Sequence, residues 1–399
     1  MAIRVKSEPR PDYKAKLEEQ GLTWHTTETG VPYWDETAHW VFTSDEIDRL
    51  EQATNDAYAM VLDAVGHVID NKLLQLFGYD DLAIKLIEKS WKDEKNFTMY
   101  GRFDLAYSNG QIKVLEFNGN TPTSLLEASV NQWFWLEEMF PEGDQFNSIH
   151  DRLVNVMRKI NFAQRSKVRN GHNYNSDLHL TCVVPNDEDQ GTVAYFESVI
   201  READANPKFI PITDITVKEE HYNGVSQGQV FIDQDRQPIQ TLLALYPWEW
   251  LLADDFGTKL AQDVLANRVS VMEPAWKMVA SNKRLLATLW ELYPYNPLLL
   301  PTFTTPDELT GDYVKKPIFG REGQNVTIVE NGKTAESSTG FYDDDPFVFQ
   351  EKTELLQADG NFAVIGSWIV EGESAGMGIR ECNKLITDNT ARFVPHRFE

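Results

Sequence analysis

Cysteine is nearly absent from the 399-residue sequence: only Cys182 and Cys382, far apart and without C-x-x-C spacing. That excludes a disulfide framework and a cysteine zinc site, and it leads us to expect reduced, structural thiols. The eight histidines are scattered, with no H-E-x-x-H and no triad-like grouping, so zinc hydrolysis is not expected either. No apolar run approaches the roughly 20 residues of a membrane span. The greasiest stretch, residues 242–252, is interrupted by Tyr246, Pro247 and Glu249. Residues 1–10 carry Arg4, Lys6, Glu8 and Arg10 with no apolar segment behind them, so no secretory signal is read and a cytoplasmic protein is expected. Basic residues are also short: 37 Lys and Arg face 62 Asp and Glu, a net charge of −25. Such a surface repels phosphate backbones and anionic lipid, which argues against nucleic-acid or membrane partners and leaves small cations as candidates. Repeats, low-complexity tracts and Ser/Gly linkers are missing too, so the two or three lobes that this length allows should be interleaved.

What is present is a mixed α/β pattern. Thr43, Ser44, Asp45 and Glu46 form a capping box, and behind it Ile47, Leu50, Ala53, Ala57, Val61, Ala64, Val65 and Val68 recur at helical spacing. This predicts a long scaffold helix to about residue 71, followed by a second over 82–92. Residues 179–184 read as a strand, 185–190 as a polar loop and 192 onward as helix, the unit of an α/β layer. Strands are expected at 209–215 and 242–246, and helices at 259–266 and 281–292. Beyond them come short strands with turn signals: 313–318, a turn at Gly320 to Gly323, 326–330, Asn331-Gly332, and 347–351. That is a small antiparallel module able to cover a nucleotide. Trp133, Trp135, Trp248 and Trp250 are assigned to the core.

The most informative stretch is the hairpin over residues 100–118. Arg102 and Asp104 lie two apart, as do Glu116 and Asn118, so each pair shares one strand face. A two-residue loop at Asn109-Gly110 would put the pairs on opposite faces. A three-residue loop at Ser108-Asn109-Gly110 would gather all four on one face and collect Phe103, Leu105, Tyr107, Leu115 and Phe117 on the other. The better segregation favours the three-residue loop. The resulting patch offers hard oxygen ligands of the kind that suit Mg²⁺ bridging to phosphates, beside an arginine able to stabilise developing negative charge. Asn120 to Ser124 lead into an expected helix over 125–140 with Pro122 near its first turn, where free N–H groups favour an anion. Downstream, Lys315 and Lys316 precede the turn at Gly320 and Gly323, and Arg380 follows Gly376 and Gly378 on a strand.

Several ordered motifs give these residues a context. They are Pro32-Tyr33-Trp34, R-F-D at 102–104, E-F-N-G-N-T-P-T-S at 116–124, Leu245 to Glu249, Glu273 to Trp276, Ser281-Asn282-Lys283, V-K-K-P-I-F-G-R-E-G-x-N at 314–325, Gly366-Ser367-Trp368 and G-I-R at 378–380. With them, over nearly the whole length, the chain resembles the glutathionylspermidine synthase family, and most nearly its stand-alone acid–amine ligase members. The resemblance implies an ATP-grasp fold with an antiparallel lid over the nucleotide. It implies four stretches: an N-terminal region with the metal and acyl-site hairpin (1–175), a substrate lobe (176–280), the lid (281–352) and C-terminal strands that complete the ATP-binding core (353–399). Its cofactors would be ATP and Mg²⁺, and its partners a glutathione-like acid and a polyamine-like amine. Position by position, Arg102 and Arg380 match catalytic arginines, and Asp104, Glu116 and Asn118 match magnesium ligands. Lys283, Lys316, Gly320, Gly323 and Gln350 match the nucleotide site. Thr121 and Thr123 fall where the family has serines near the acyl substrate, and Glu188 and Asp189 where paired glutamates contact the thiol peptide. The bifunctional members carry an amidase domain as well; no Cys–His pair for it is recognisable here, and amide hydrolysis is not expected.

Two rival readings are weaker. A glycoside hydrolase would use the 11 tryptophans and many carboxylates, but gives no role to Lys283, Lys316 or the glycine-bearing turn. A non-catalytic ATP-binding homologue would not need Arg102, Asp104, Glu116 and Asn118 intact.

Overall fold

The computed structural model describes residues 2–27, 29–94, 98–169, 177–222 and 225–399. The fold is mixed α/β with several separate sheets. Compactness divides it into two units that cut across the four stretches above: one of Met1–Tyr79, Tyr100–Ile149 and Trp276–Glu399, the other of Asp80–Met99 and His150–Ala275. Among the described residues no helix is long and apolar enough to cross a membrane. Both cysteines are free and buried, as their spacing implied.

The first unit is built on an antiparallel sheet that runs Arg392–Phe393, Glu373–Cys382, Asn361–Val370, Tyr100–Ser108, Gln111–Asn118, with Leu356–Ala358 at its side. The helix Ser44–Asp70 packs on one face of this sheet. Its capping box is formed, and the eight apolar residues read at helical spacing are all buried. Phe103 and Phe117 meet at 4.4 Å on that face, Tyr58 of the helix lies 5.8 Å from Phe117, and the Tyr107 hydroxyl donates to Glu46.

The hairpin corrects the expected turn while keeping its consequence. The loop has two residues, Asn109 and Gly110, at φ 50° and 77°, the pair of left-handed conformations a type I′ turn requires. A bulge at Leu115 then resets the register, so that Asp104 faces Glu116 and Arg102 faces Asn118. All four polar groups therefore share a face. Leu115 does not join the apolar face as expected; it lines a cleft on the polar side.

A second sheet of this unit is the expected antiparallel module, in the order Thr302–Phe303, Phe347–Glu351, Tyr313–Pro317, Thr327–Glu330, Lys333–Ser337. The helix expected over 281–292 is broken. Lys277–Ser281 ends at Asn282, whose side chain donates to the Phe77 carbonyl and accepts from the Arg284 N–H, and Arg284–Leu292 starts afresh. Lys283 thus sits at a helix start. The helix after Thr123 runs over 125–139 with a π-helical turn, Glu127–Asn131, and Pro122 lies outside it, separated by Ser124 at φ 67°.

The second unit contains a parallel sheet, Ser270–Met272, Thr241–Ala244, Asp177–Thr181, Asn206–Phe209, flanked by helices. The strand expected at 209–215 lies earlier, at Asn206–Phe209, and shares only Phe209 with that range; beyond it Pro211 has no N–H for a ladder and a 3₁₀ turn, Ile212–Asp214, follows. The helix expected from 192 begins at Asp187, where the Asn186 side chain accepts the Asp189 N–H at 3.0 Å. Glu188 and Asp189 therefore lie in a first helical turn, favourable for acidic side chains, and not in a loop. Of the four tryptophans assigned to the core, Trp135 and Trp248 are buried, whereas Trp133 and Trp250 are 37% and 45% exposed.

Candidate active site

The polar face of the hairpin is densely charged. Arg102 donates through Nε to Asp104 Oδ1 at 2.8 Å and through Nη1 to the Thr123 carbonyl at 2.5 Å, and its guanidinium lies over the Trp368 ring. It fits there because residue 366 is glycine: a Cβ on Gly366 would stand 2.9 Å from Arg102 Cδ. Arg380 reaches the other Asp104 oxygen at 2.7 Å. Next to them, Glu116 pairs with Lys283 at 3.0 Å and accepts from the Asn118 amide at 3.2 Å. Lys283 also donates to the Gly320 carbonyl at 2.7 Å. Lys316 is buried, donating to Gln350 Oε1 at 2.7 Å and to the carbonyl of the bulged Leu115 at 3.1 Å.

Electrostatics follow from this crowding. Burial alone would raise the Glu116 carboxyl, but the ammonium groups of Lys283 and Lys316 outweigh it and hold it at about 2. Burial drives the Lys316 ammonium down to about 8, against the pull of Glu116. Four cations, Arg102, Arg380, Lys283 and Lys316, surround two carboxylates. The site carries a surplus of positive charge inside a protein of net charge −25, a setting suited to a polyanion.

Beside this cluster runs a cleft of about 880 Å³, part of it open to solvent. Asp104, Glu116, Lys283, Lys316, Gly320, Gly323 and Gln350 line it together with apolar residues such as Leu115, Val326, Ile328 and Val364. Gly323 is at φ 69°, and a Cβ there would meet the Thr387 carbonyl at 2.6 Å, so the turn can come this close only as glycine.

The structure thus brings together Arg102, Arg380, Asp104, Glu116, Asn118 and the five residues matched to a nucleotide site. Thr121 joins them by accepting from Arg321 Nη1 at 3.3 Å, and Thr123 through its carbonyl. Glu188 and Asp189 belong to the other compact unit. Sequence reasoning assigned nothing to Arg321; a cation between Gly320 and Gly323, on a turn after a lysine-bearing strand, was the available signal.

The family profile described as glutathionylspermidine synthase preATP-grasp matches residues 4–399. The chain belongs to this family. It is 39% identical to a Haemophilus influenzae protein provisionally named an acid–amine ligase, over 98% of this chain and 97% of that one. It is 26% identical to trypanothione synthetase of Crithidia fasciculata and 24% to the bifunctional glutathionylspermidine synthetase/amidase of Escherichia coli, covering 85% and 90% of itself. It spans little more than half the length of those two proteins, 53% and 58%. Among solved structures, a glutathione synthetase-like effector of Globodera pallida superposes with a TM-score of 0.50 at 11% identity, covering 98% of this chain and all of that one, a likeness of fold alone. Its family and relatives make the protein an ATP-dependent C–N ligase.

Proposed function

We propose that the protein joins a carboxylic acid to an amine through an acyl phosphate made from ATP, in an ATP-grasp arrangement whose lid is the antiparallel module of residues 281–352. The observation that carries this reading is the cleft beside Asp104 and Glu116, where four cations converge and an apolar wall lies alongside. The wall suits a nucleobase and the cations suit its phosphates. A carboxylate is a poor electrophile, because its leaving group would be oxide. One of its oxygens attacks the γ-phosphorus, the bond to ADP breaks, and the acyl phosphate carries phosphate as leaving group. The amine nitrogen then attacks the acyl carbon, phosphate departs, and the nitrogen gives up a proton. Arg102 and Arg380 stabilise negative charge in both steps, and Lys283 and Lys316 hold the phosphates.

Asp104, Glu116 and Asn118 would hold Mg²⁺. They are hard oxygen donors that share one strand face, a donor chemistry that fits this ion. Bound there, it would supply charge neutralisation during phosphoryl transfer. The acid is glutathione or a small peptide, contacted by Thr121 and Thr123, and the amine is a polyamine or another amine, a cation that matches the acidic surface. Two free thiols suit a reducing, cytoplasmic setting.

The test is ADP release by the protein with MgATP across a grid of acids, including glutathione and small peptides, against amines including spermidine. Turnover that requires one acid and one amine together, and falls by ~10²-fold or more in Arg102→Ala, is expected. Hydrolysis of ATP that no acid–amine pair accelerates would overturn the reading.

A further inference from the structure

Below the loop that meets Arg102 lies an acid to which the reading above gives no work. Glu127 is 1% exposed and opens the π-helical turn of the helix over 125–139. A π-turn inserted in a helix is uncommon and recurs at functional sites, because it redirects the side chains ahead of it. Glu127 Oε1 accepts from the Tyr33 hydroxyl at 2.7 Å and from the Trp24 indole N–H at 3.2 Å. Because the Tyr33 hydroxyl donates to Glu127, its oxygen can accept from the Ser124 hydroxyl, whose Oγ lies 3.2 Å away. Ser124 is buried and held at φ 67°, a left-handed conformation that costs a non-glycine residue free energy unless its surroundings impose it. The residue before it is Thr123, whose carbonyl accepts Arg102 Nη1 at 2.5 Å. A continuous chain of contacts therefore runs from Trp24 and Glu127 through Tyr33 and Ser124 to the guanidinium of Arg102.

We infer that Glu127 and Tyr33 are positioning residues for Arg102. They pin the left-handed turn at Ser124, the turn aims the Thr123 carbonyl, and that carbonyl sets one edge of the guanidinium while Asp104 sets the other. Two fixed edges leave the arginine one orientation across the Gly366 strand. Burial raises the Glu127 carboxyl, and its two donors and Arg102 act in the opposite sense. Glu127 does not touch substrate in this arrangement, since its side chain is enclosed. The inference rests on the proposed ligase reaction only for its kinetic arm.

Tyr33→Phe removes one hydroxyl and keeps the ring, and Glu127→Gln keeps an acceptor for Tyr33 at nearly constant volume. In crystals of Tyr33→Phe we expect the Ser124 turn to relax and the contact of Arg102 Nη1 with the Thr123 carbonyl to be lost, with the fold intact. An unchanged turn and contact would overturn the inference whatever the enzyme's substrates are. In turnover, Tyr33→Phe should lower kcat by about 10- to 10²-fold, as small misplacements of catalytic groups do, with KM for ATP within about twofold. Glu127→Gln by itself, which keeps the acceptor for Tyr33, should retain most of the wild-type kcat. Combined with Arg102→Ala, Tyr33→Phe should cost nothing further, because the two act through one guanidinium. Equal fold losses with and without Arg102 would instead assign Tyr33 a structural role. If the crystal contact is lost while wild-type protein turns over no acid–amine pair, the proposed function fails and the positioning inference stands.

Discussion

At the scale of single residues, the site depends on charges kept close together by burial. Lys316, with an ammonium near 8, should bind a phosphate as a cation and lose that hold as the amine becomes neutral. MgATP affinity is therefore expected to weaken as pH rises through about 8, with proton uptake on binding, and Lys316→Arg should flatten the dependence between pH 7 and 9. Calorimetry in buffers of different ionisation enthalpy measures both. Glu116 has the opposite sign. Its carboxyl, held at about 2 against an ordinary 4.5, stabilises the fold fully above about 4.5, and that contribution is lost as pH falls towards 2. Gly366→Ala would place a methyl 2.9 Å from Arg102 Cδ, a carbon near the stem of the side chain, and the guanidinium must move. The expected result is a fall in kcat of about tenfold or more with a nearly unchanged melting temperature. These residues were legible as a group in the sequence because R-F-D, E-F-N and the two downstream basic motifs name them. Their pairing was not: that Asp104 is shared by two arginines and Glu116 taken by Lys283 depends on strands and loops distant along the chain.

Elements show where local signals suffice and where they do not. The helix Ser44–Asp70 followed from its capping box and apolar period, both short-range properties. Thr43→Ala should cost about 1 kcal/mol in chemical denaturation through loss of the cap bond to the Glu46 N–H. In the hairpin, the segregation of polar and apolar residues was readable, yet two mechanisms produce it, a longer loop or a bulge. The protein uses the bulge, which also turns the Leu115 carbonyl to Lys316. Gly110→Ala, at φ 77° where a Cβ would meet only the Arg49 guanidinium at 3.5 Å, an ordinary contact, should destabilise by roughly 1–2 kcal/mol from backbone strain and leave kcat intact. The π-turn at Glu127–Asn131 had no sequence signal, since its residues are ordinary helix formers and only its buried partners select it.

Across the whole molecule, the excess of 25 negative charges and the cationic cluster are opposite features of one chain. Binding that depends on the cluster should stabilise the unit that holds it, by about 2.7 kcal/mol at a hundredfold excess of MgATP over Kd. Hydrogen exchange is expected to report this as added protection in Tyr100–Ser108, Gln111–Asn118, Tyr313–Pro317 and Phe347–Glu351, with the parallel sheet of the second unit unchanged. Equal protection of both units would show that the nucleotide acts elsewhere. By itself the sequence determined the class of fold, the strands of the antiparallel module, the long helix, the free thiols and the membership of a ligase family, because each rests on periodicity, composition or motifs a few residues long. Tertiary structure alone decided the bulge, the break at Lys283, the shared carboxylates and the chain of contacts from Glu127 to Arg102. Each of these is settled by partners tens to hundreds of residues away, and burial there makes a single hydrogen bond decisive.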